Sequence, residues 1–210
     1  MAQQERGRKS KRSILEAAAR VFDERGYDAA STNEILARTG LTRGSMYHHF
    51  PSKEAIALAL LDAHGEALAV IDHPVKVQSV IDLTLTFAER LLHDAVLRAS
   101  LRLTIERTSL PCPPQTAYEQ STRTILALLR QAQEQGEILP GTDLQEAAET
   151  IVGSFTGLQI MSQAYTGRED LADRVTAFWR FMLPGLVTPG LIGRLRITPP
   201  PVVPPVADAD

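Results

Sequence analysis

A short segment between Thr42 and His48 gathers side chains that suit nucleic acid. Hydroxyl groups, an arginine, a tyrosine and a histidine occur within seven positions, and such groups donate hydrogen bonds to phosphate oxygens and base edges. The candidate contact residues are Thr42, Arg43, Gly44, Ser45, Tyr47 and His48. Arginine pairs bidentately with guanine O6 and N7, and a glycine permits close approach of the backbone. The segment therefore predicts recognition chemistry.

Patterns that would indicate catalysis or metal binding are missing from the sequence. The stretch Gly153 to Gly157 has Phe155 where a nucleophile elbow needs a serine. His48 and His49 are adjacent and so point to different faces of a helix, and the other histidines lack the spacing of metal ligands. Glycine-rich phosphate loops are also absent. We therefore expect that the protein is not an enzyme and that it has no metal site and no cofactor.

Helix signals surround the polar segment and position it. Ser31 and Glu34 have the spacing of a capping box, Gly40 ends the helix that they begin, and Thr42 caps the next one. A helix, a glycine turn and a second helix at this spacing allow the second helix to enter a major groove. The apolar residues expected to hold the pair against the preceding helix are Ile35, Leu36, Leu41, Met46 and Phe50.

Apolar residues recur at helical spacing along nearly the whole chain, so we expect an all-α fold. The predicted helices cover residues 8–25, 31–39, 42–48, 52–73, 77–93, 95–108, 115–135, 143–164 and 169–183, with a short helical piece near 191–195. The predicted organisation is a helix-turn-helix domain over residues 8–68, a second helical domain over 75–195, and a proline-rich disordered tail over 198–210. The first domain is expected to be a three-helix DNA-binding unit.

The charge is unevenly distributed along the chain. The formal net charge is -3, but residues 1–53 contain ten Lys or Arg against six Asp or Glu, whereas the remainder contains 12 against 19. Affinity for phosphate depends on the local face, so the basic front fits nucleic acid despite the acidic total. The longest apolar run, Ala55 to Leu61, is too short to cross a bilayer, and a single cysteine fits a reducing compartment. We therefore expect a cytoplasmic protein without a membrane partner.

Two stretches carry a resemblance to a known family. GLTRGSMYHHFPSKEAI, from Gly40 to Ile56, is similar to the recognition-helix signature of the TetR family of repressors, and VFDERGYDAASTNEILARTG, from Val21 to Gly40, resembles the family's first two helices. The resemblance implies that Thr42, Arg43, Ser45, Tyr47 and His48 touch operator DNA. It also implies that Lys53 contacts a phosphate.

Two alternatives stay open in this region. Tyr47 and His49 also fit half-buried core positions with a satisfied polar tip. The basic residues at the front either follow the DNA or form a solvated face; they are Arg6, Arg8, Lys9, Lys11 and Arg12.

Later segments resemble the γ-butyrolactone autoregulator receptors of actinomycetes, a branch of the same family. The similar segments are Val96 to Glu106, Leu128 to Gly141, Val152 to Gln163 and Phe178 to Leu195. Such receptors usually carry a tryptophan near the start of the helix predicted at Gln115, where this chain has Thr116 to Glu119 instead. The resemblance implies a small-molecule inducer, and the departure leaves open which one.

Apolar walls and a few polar groups predict a ligand pocket between helices. Its candidate residues are Leu101, Thr104, Ile105, Tyr118, Phe155, Leu158 and Gln159, for which plain packing is the alternative. We expect the last two long helices to pair with the same helices of a second chain and so form a homodimer. Gly153, Ser154 and Gly157 give one of these helices a face of small residues, which permits close packing. A homodimer also matches a palindromic operator, because two reading helices then meet successive major grooves.

The sequence thus predicts a ligand-responsive transcriptional repressor that binds a palindromic operator as a homodimer and is released by a small amphiphilic signal resembling a γ-butyrolactone. One alternative is a DNA-binding regulator, or a pseudo-receptor, that answers a different ligand or none. A small-molecule enzyme is a remote third.

Overall fold

The computed structural model describes residues 2–68, 70, 72–105, 110 and 115–199. In these ranges the chain forms ten helices and no strand, with one antiparallel bridge between Ile138 and Val187. The helices are α1 (Ala2–Arg25), α2 (Thr32–Ala37), α3 (Arg43–His49), α4 (Lys53–Ala67), α5 (Lys76–His93), α6 (Ala95–Ile105), α7 (Gln115–Glu134), α8 (Leu144–Thr166), α9 (Leu171–Leu186) and α10 (Pro189–Ile192). The predicted all-α fold is confirmed.

The clearest differences from the predicted bounds are in α1, α4 and α9. α1 begins at Ala2 rather than residue 8, and a Glu5–Lys9 ion pair one turn apart, at 3.3 Å, supports this added length despite Gly7. α4 ends at Ala67, six residues before the predicted end at His73. α9 continues through Pro184 to Leu186. The proline lacks the N–H that would bond one turn back, but the helix still closes at its end, where the Val187 amide donates to the Leu183 carbonyl at 3.0 Å.

The first compact unit comprises Met1–Ala69 and Arg90–Thr124. In it α6 packs against both α1 and α4, so the helix-turn-helix and α6 share one apolar core. Polar contacts reinforce this packing, since Arg98 of α6 lies 3.4 Å from the Asp23 carboxylate and Arg102 donates to the Asp23 carbonyl. The largest side chains of this core with almost no exposure are Ile14, Phe22, Ile35, Met46, Ile56 and Leu60.

The second compact unit comprises Val70–Glu89 and Ile125–Asp210, and in it α8 packs against α9. Trp179 of α9 is fully buried, and its indole N–H donates to the Thr84 hydroxyl of α5 at 2.8 Å. The Glu137 carboxylate accepts the first amides of α5, from Lys76 at 3.0 Å and Val77 at 2.8 Å. These bonds satisfy amides that a helix leaves unpaired at its start.

The predicted domain boundaries at residues 68 and 75 stay a prediction. Each compact unit combines two separate stretches of the chain, and the first unit includes α6, which lies beyond the predicted boundary. From residue 200 onward, the predicted proline-rich tail lies outside the described residues.

Candidate functional site

Local hydrogen bonds fix where the two helices of the reading segment begin. The Ser31 hydroxyl accepts the Glu34 amide at 3.2 Å and the Glu34 carboxylate accepts the Ser31 amide at 3.1 Å, which confirms the capping box. Gly40 has φ +67°, a conformation that glycine adopts without strain. The Thr42 hydroxyl then accepts the Ser45 amide at 3.2 Å and caps α3.

One face of α3 is anchored in the core of the first unit. Met46 is 1% exposed and Phe50 is 5% exposed, and both pack in the same core as Ile35 of α2. Leu36 and Leu41 are partly buried at its edge. The predicted scaffold is therefore confirmed, and it holds α3 at a fixed angle to α1 and α2.

The opposite face of α3 is open to solvent. Thr42, Arg43, Gly44 and His48 are exposed, while Ser45 is half-buried. A side chain at Gly44 would meet no other atom within 4 Å, so the surface around it is open. The candidate contact residues therefore lie on or beside one exposed helix face, with an arginine near its start.

Tyr47 combines the two interpretations that the sequence left open. Its ring packs against the core, and its hydroxyl lies 3.4 Å from the Thr32 hydroxyl at the first residue of α2. The Arg43 guanidinium lies 5.6 Å from the centre of the ring. The bond to Thr32, and secondly Arg43, lower the pKa of the Tyr47 hydroxyl. The hydroxyl therefore lies beside the first residue of α2 with the Arg43 cation near the ring, a setting that favours an anion.

Lys53, at the first position of α4, has an unexpected set of partners. Its ammonium donates to the carbonyls of Tyr27 at 2.8 Å, Ala30 at 3.0 Å and Asp28 at 3.4 Å. It also lies 4.3 Å from the centre of the Tyr27 ring. An ammonium has three donors, so these carbonyls account for all of them. Lys53 thus ties α4 to the turn between α1 and α2, a role that the sequence reasoning missed because the partners lie 23 to 26 residues away.

His48 and His49 differ in surroundings although they are neighbours. His48 is exposed and His49 is half-buried, with an edge contact between their rings at 5.5 Å. His49 therefore fits the core alternative, and His48 remains available at the exposed face.

Four of the candidate ligand residues lie in the first unit. Leu101 and Thr104 are buried, Tyr118 is half-buried and Ile105 is 39% exposed. The Thr104 hydroxyl donates to the Ser100 carbonyl at 2.9 Å, so its proton is already used within α6.

The other three candidates lie along α8 in the second unit. Phe155 and Leu158 are half-buried, and the Phe155 ring meets Phe87 of α5 edge-on at 5.5 Å. Gln159 is only 2% exposed, yet its side-chain oxygen has no hydrogen-bond partner within the described structure. The Thr86 hydroxyl, next to Phe87, is also buried without a partner. Sequence reasoning missed Thr86, because nothing in a helical pattern tells a satisfied threonine from an unsatisfied one.

Several large apolar side chains of α8 and α9 are exposed to solvent. Phe181 is 83% exposed, Tyr165 74%, Met161 47% and Ile160 45%. Gly153 and Gly157 of α8 are exposed with open space around them. The predicted dimer helices therefore carry large apolar side chains that are open to solvent.

The described ranges contain neither a metal-ligand cluster nor a membrane-spanning helix. No group of three or more metal-ligating side chains comes together there. Within the same ranges, every helix is too short or too polar to span a membrane.

Comparisons with known proteins agree with this geometry. Residues 14–60 match the family described as "Bacterial regulatory proteins, tetR family", and residues 75–188 match "Tetracyclin repressor-like, C-terminal domain". The A-factor receptor protein of Streptomyces griseus is 41% identical over 197 residues, which are 93% of this chain and 70% of that protein.

Solved structures show the same likeness. Full-length native TylP, a TetR regulator from Streptomyces fradiae, is 37% identical with a TM-score of 0.84 over 92% of this chain and 93% of that one. A gamma-butyrolactone receptor described as an ArpA-like protein is 25% identical with a TM-score of 0.72 over 90% and 93% of the two chains. Two family matches that together span most of the chain, and these relatives, establish that this chain belongs to the TetR family of bacterial regulatory proteins.

Proposed function

We propose that this chain is a ligand-responsive transcriptional repressor, not an enzyme, that binds a palindromic operator as a homodimer. A small amphiphilic molecule of the γ-butyrolactone kind releases it from DNA. The observation that carries the proposal is α3, a short helix fixed by its core face and presenting Arg43 and His48 to solvent.

DNA binding assigns different roles to the residues of this face. Arg43 reads base edges, because its fork matches guanine in the major groove. Thr42, Ser45, Tyr47 and His48 contribute phosphate contacts or further base contacts, and Gly44 lets the backbone approach. Lys53 supports the face indirectly, by holding the Tyr27 to Ala30 turn.

The proposed ligand chemistry follows from the second unit. Phe155 and Leu158 supply apolar surface, whereas the buried oxygen of Gln159 lacks a donor. A buried acceptor without a partner is costly, so a ligand that brings a hydroxyl group to it would gain affinity. The molecule that fits is apolar over most of its length and carries a hydrogen-bond donor, as a hydroxylated alkyl lactone does. The relative described as a gamma-butyrolactone receptor supports this class.

A second candidate is a pseudo-receptor that answers a different ligand or none. The observation favouring it is Trp179, the one tryptophan of the chain, which is fully buried and bonded to Thr84. It is therefore unavailable to a ligand, and position 118, in the neighbourhood where receptors of this branch carry a tryptophan, is Tyr118.

Fluorescence anisotropy on the full chain separates the two. Labelled DNA from the region upstream of its own coding sequence is titrated at fixed salt, and then an alkyl γ-butyrolactone bearing one hydroxyl is added. The repressor proposal expects specific binding that the lactone reverses, because only a ligand with different affinity for the two states shifts the equilibrium. Binding that no lactone of the series reverses supports the pseudo-receptor, and absence of binding to any upstream DNA contradicts both.

Gln159→Leu tests the assigned acceptor. It should raise the lactone concentration needed for release about 3- to 10-fold, the effect of one hydrogen bond. The O-methyl ether of the lactone should act equally on the variant and the parent. Stability should hold or rise, since an unpaired buried oxygen is removed. Gln131→Leu, exposed on α7, is the matched control and should change nothing.

A further inference from the structure

The first turns of α1 form a basic helical extension of the molecule beside α3. Arg6, Arg8 and Lys11 are exposed there. Lys9 and Arg12 pair with Glu5 and Glu16, respectively, at 3.3 and 2.8 Å. Arg6 and Arg8 form no ion pair with any residue that the structure describes, so no carboxylate in those ranges neutralises their charge.

Two distances place this extension beside the C-terminal end of α3. Gly7 faces His49, and a side chain carbon at position 7 would lie 4.0 Å from His49 Cε1. One turn later, the Lys11 ammonium lies 5.8 Å from the centre of the Phe50 ring. Arg6 and Arg8 flank Gly7 in the sequence, so their side chains emerge on either side of the strip where α1 meets α3.

The extension is helical, which limits what it is able to contact. An extended arm follows the floor of a minor groove, whereas a helix in contact with α3 holds its arginines at a fixed distance from the recognition helix. Arginine presents up to five donors to phosphate oxygens and keeps its charge at every physiological pH. The observations therefore favour the DNA backbone as the partner rather than base edges.

We propose that Arg6 and Arg8 bind backbone phosphates beside the groove that α3 enters, and so form a sequence-independent anchor that widens the DNA interface. The inference rests on the proposed DNA binding and deepens it. It is supported by the charge complementarity between these arginines and DNA phosphates, and by the position of the extension next to the exposed face of α3.

Counterion release makes the anchor measurable. Each protein–phosphate contact contributes about 0.9 to the slope of log affinity against log salt concentration on duplex DNA. The test variant is Arg6→Gln/Arg8→Gln, in which glutamine keeps the helix propensity and removes the charge. If each protomer of a dimer loses one or two contacts, the slope should become shallower by about 1.8 to 3.6. The loss of affinity should be equal for operator and unrelated duplex DNA.

The matched control is Arg20→Gln/Arg130→Gln, which removes the same charge from exposed positions on α1 and α7. It should leave the slope nearly unchanged. Equal slopes for the test variant and the parent would overturn the proposed anchor. An equal change of slope in the control would also overturn it, because the effect would then come from the net charge of the molecule and not from Arg6 and Arg8. A loss confined to the operator would also overturn it, in favour of base reading. If the unmodified protein does not bind DNA at all, the proposed function is wrong. Failure of the proposed function is therefore distinguishable from failure of the proposed anchor.

Discussion

At the scale of single residues, Arg43 and Tyr47 are expected to contribute differently to DNA binding. Arg43→Ala should cost about 1–3 kcal/mol on the operator and relax the preference for one base pair, because it removes a fork that matches guanine. If the hydroxyl held beside Thr32 contacts a phosphate, Tyr47→Phe should weaken binding to all sequences alike, because phosphate contacts carry no sequence information. Anisotropy titrations against the operator and single-base variants measure both effects.

Arg130→Ala is the control for this pair, since it removes an exposed arginine from α7. Operator affinity that stays the same in both Arg43→Ala and Tyr47→Phe would show that α3 is not the reading helix. A loss of base preference in Tyr47→Phe would instead indicate that the Tyr47 hydroxyl contacts a base.

A substitution of Lys53 distinguishes a role in stability from a direct role in DNA binding. Lys53→Met should lower the free energy of unfolding by about 2 kcal/mol, because charge-assisted bonds to the Tyr27 and Ala30 carbonyls are lost. Urea denaturation measures this change. Lys9→Met is the control, since its ion pair with Glu5 is exposed and such pairs contribute little. Unchanged stability with weakened DNA binding would indicate a phosphate contact alone.

At the scale of elements, the α8–α9 junction predicts a response to acid. The Asp170 carboxylate accepts bonds from Arg174, Ser162 and Thr166, which hold its pKa far below the ordinary value. A folded-state pKa below the unfolded value of about 3.9 stabilises the protein above that pH, and the contribution fades as the pH falls further. Asp170→Asn should therefore lower Tm at pH 7, and the gap to the parent should shrink below about pH 4.

The neighbouring Glu169→Gln serves as the reference, because Glu169 is exposed and forms no ion pair in the described part of the chain. Its Tm should follow that of the parent at both pH values. A gap for Asp170→Asn that stays constant from pH 7 to pH 3 would mean that the Asp170 carboxylate adds no pH-dependent stability.

The elements that sequence predicted best are those whose signals are local. The capping box at Ser31 and the cap at Thr42 each join residues three positions apart, so the pattern itself contains both partners. The start of α5 is different, because its amides bond to Glu137, 60 residues further along the chain. Lys53 and the unpaired oxygen of Gln159 likewise depend on packing that no window of sequence contains. The caps and the apolar scaffold of α3 were therefore predictable from the sequence, whereas these long-range contacts were not.

At the scale of the whole molecule, charge and apolar surface are separated along the chain. The basic excess lies in the first 53 residues, and the rest carries an acidic excess. The large apolar residues with the highest exposed fractions in the described ranges, Phe181 and Tyr165, instead belong to the two last long helices. DNA affinity and self-association are thus expected to respond to different substitutions, which makes the proposed dimer testable without altering α3.

Phe181→Glu/Met161→Glu should convert the proposed dimer into a monomer, because each chain would bury two carboxylates where α8 and α9 meet their copies. Analytical ultracentrifugation measures the mass, and circular dichroism checks that the helices persist. Since a monomer presents one α3 to one half-site, operator affinity should fall by at least tenfold, on the order of 1.4 kcal/mol. Gln131→Glu, an added charge on exposed α7, should leave both mass and affinity unchanged. A double variant that remains dimeric with full operator affinity would place the interface elsewhere, because a face this apolar cannot accept two charges per chain and still be the contact.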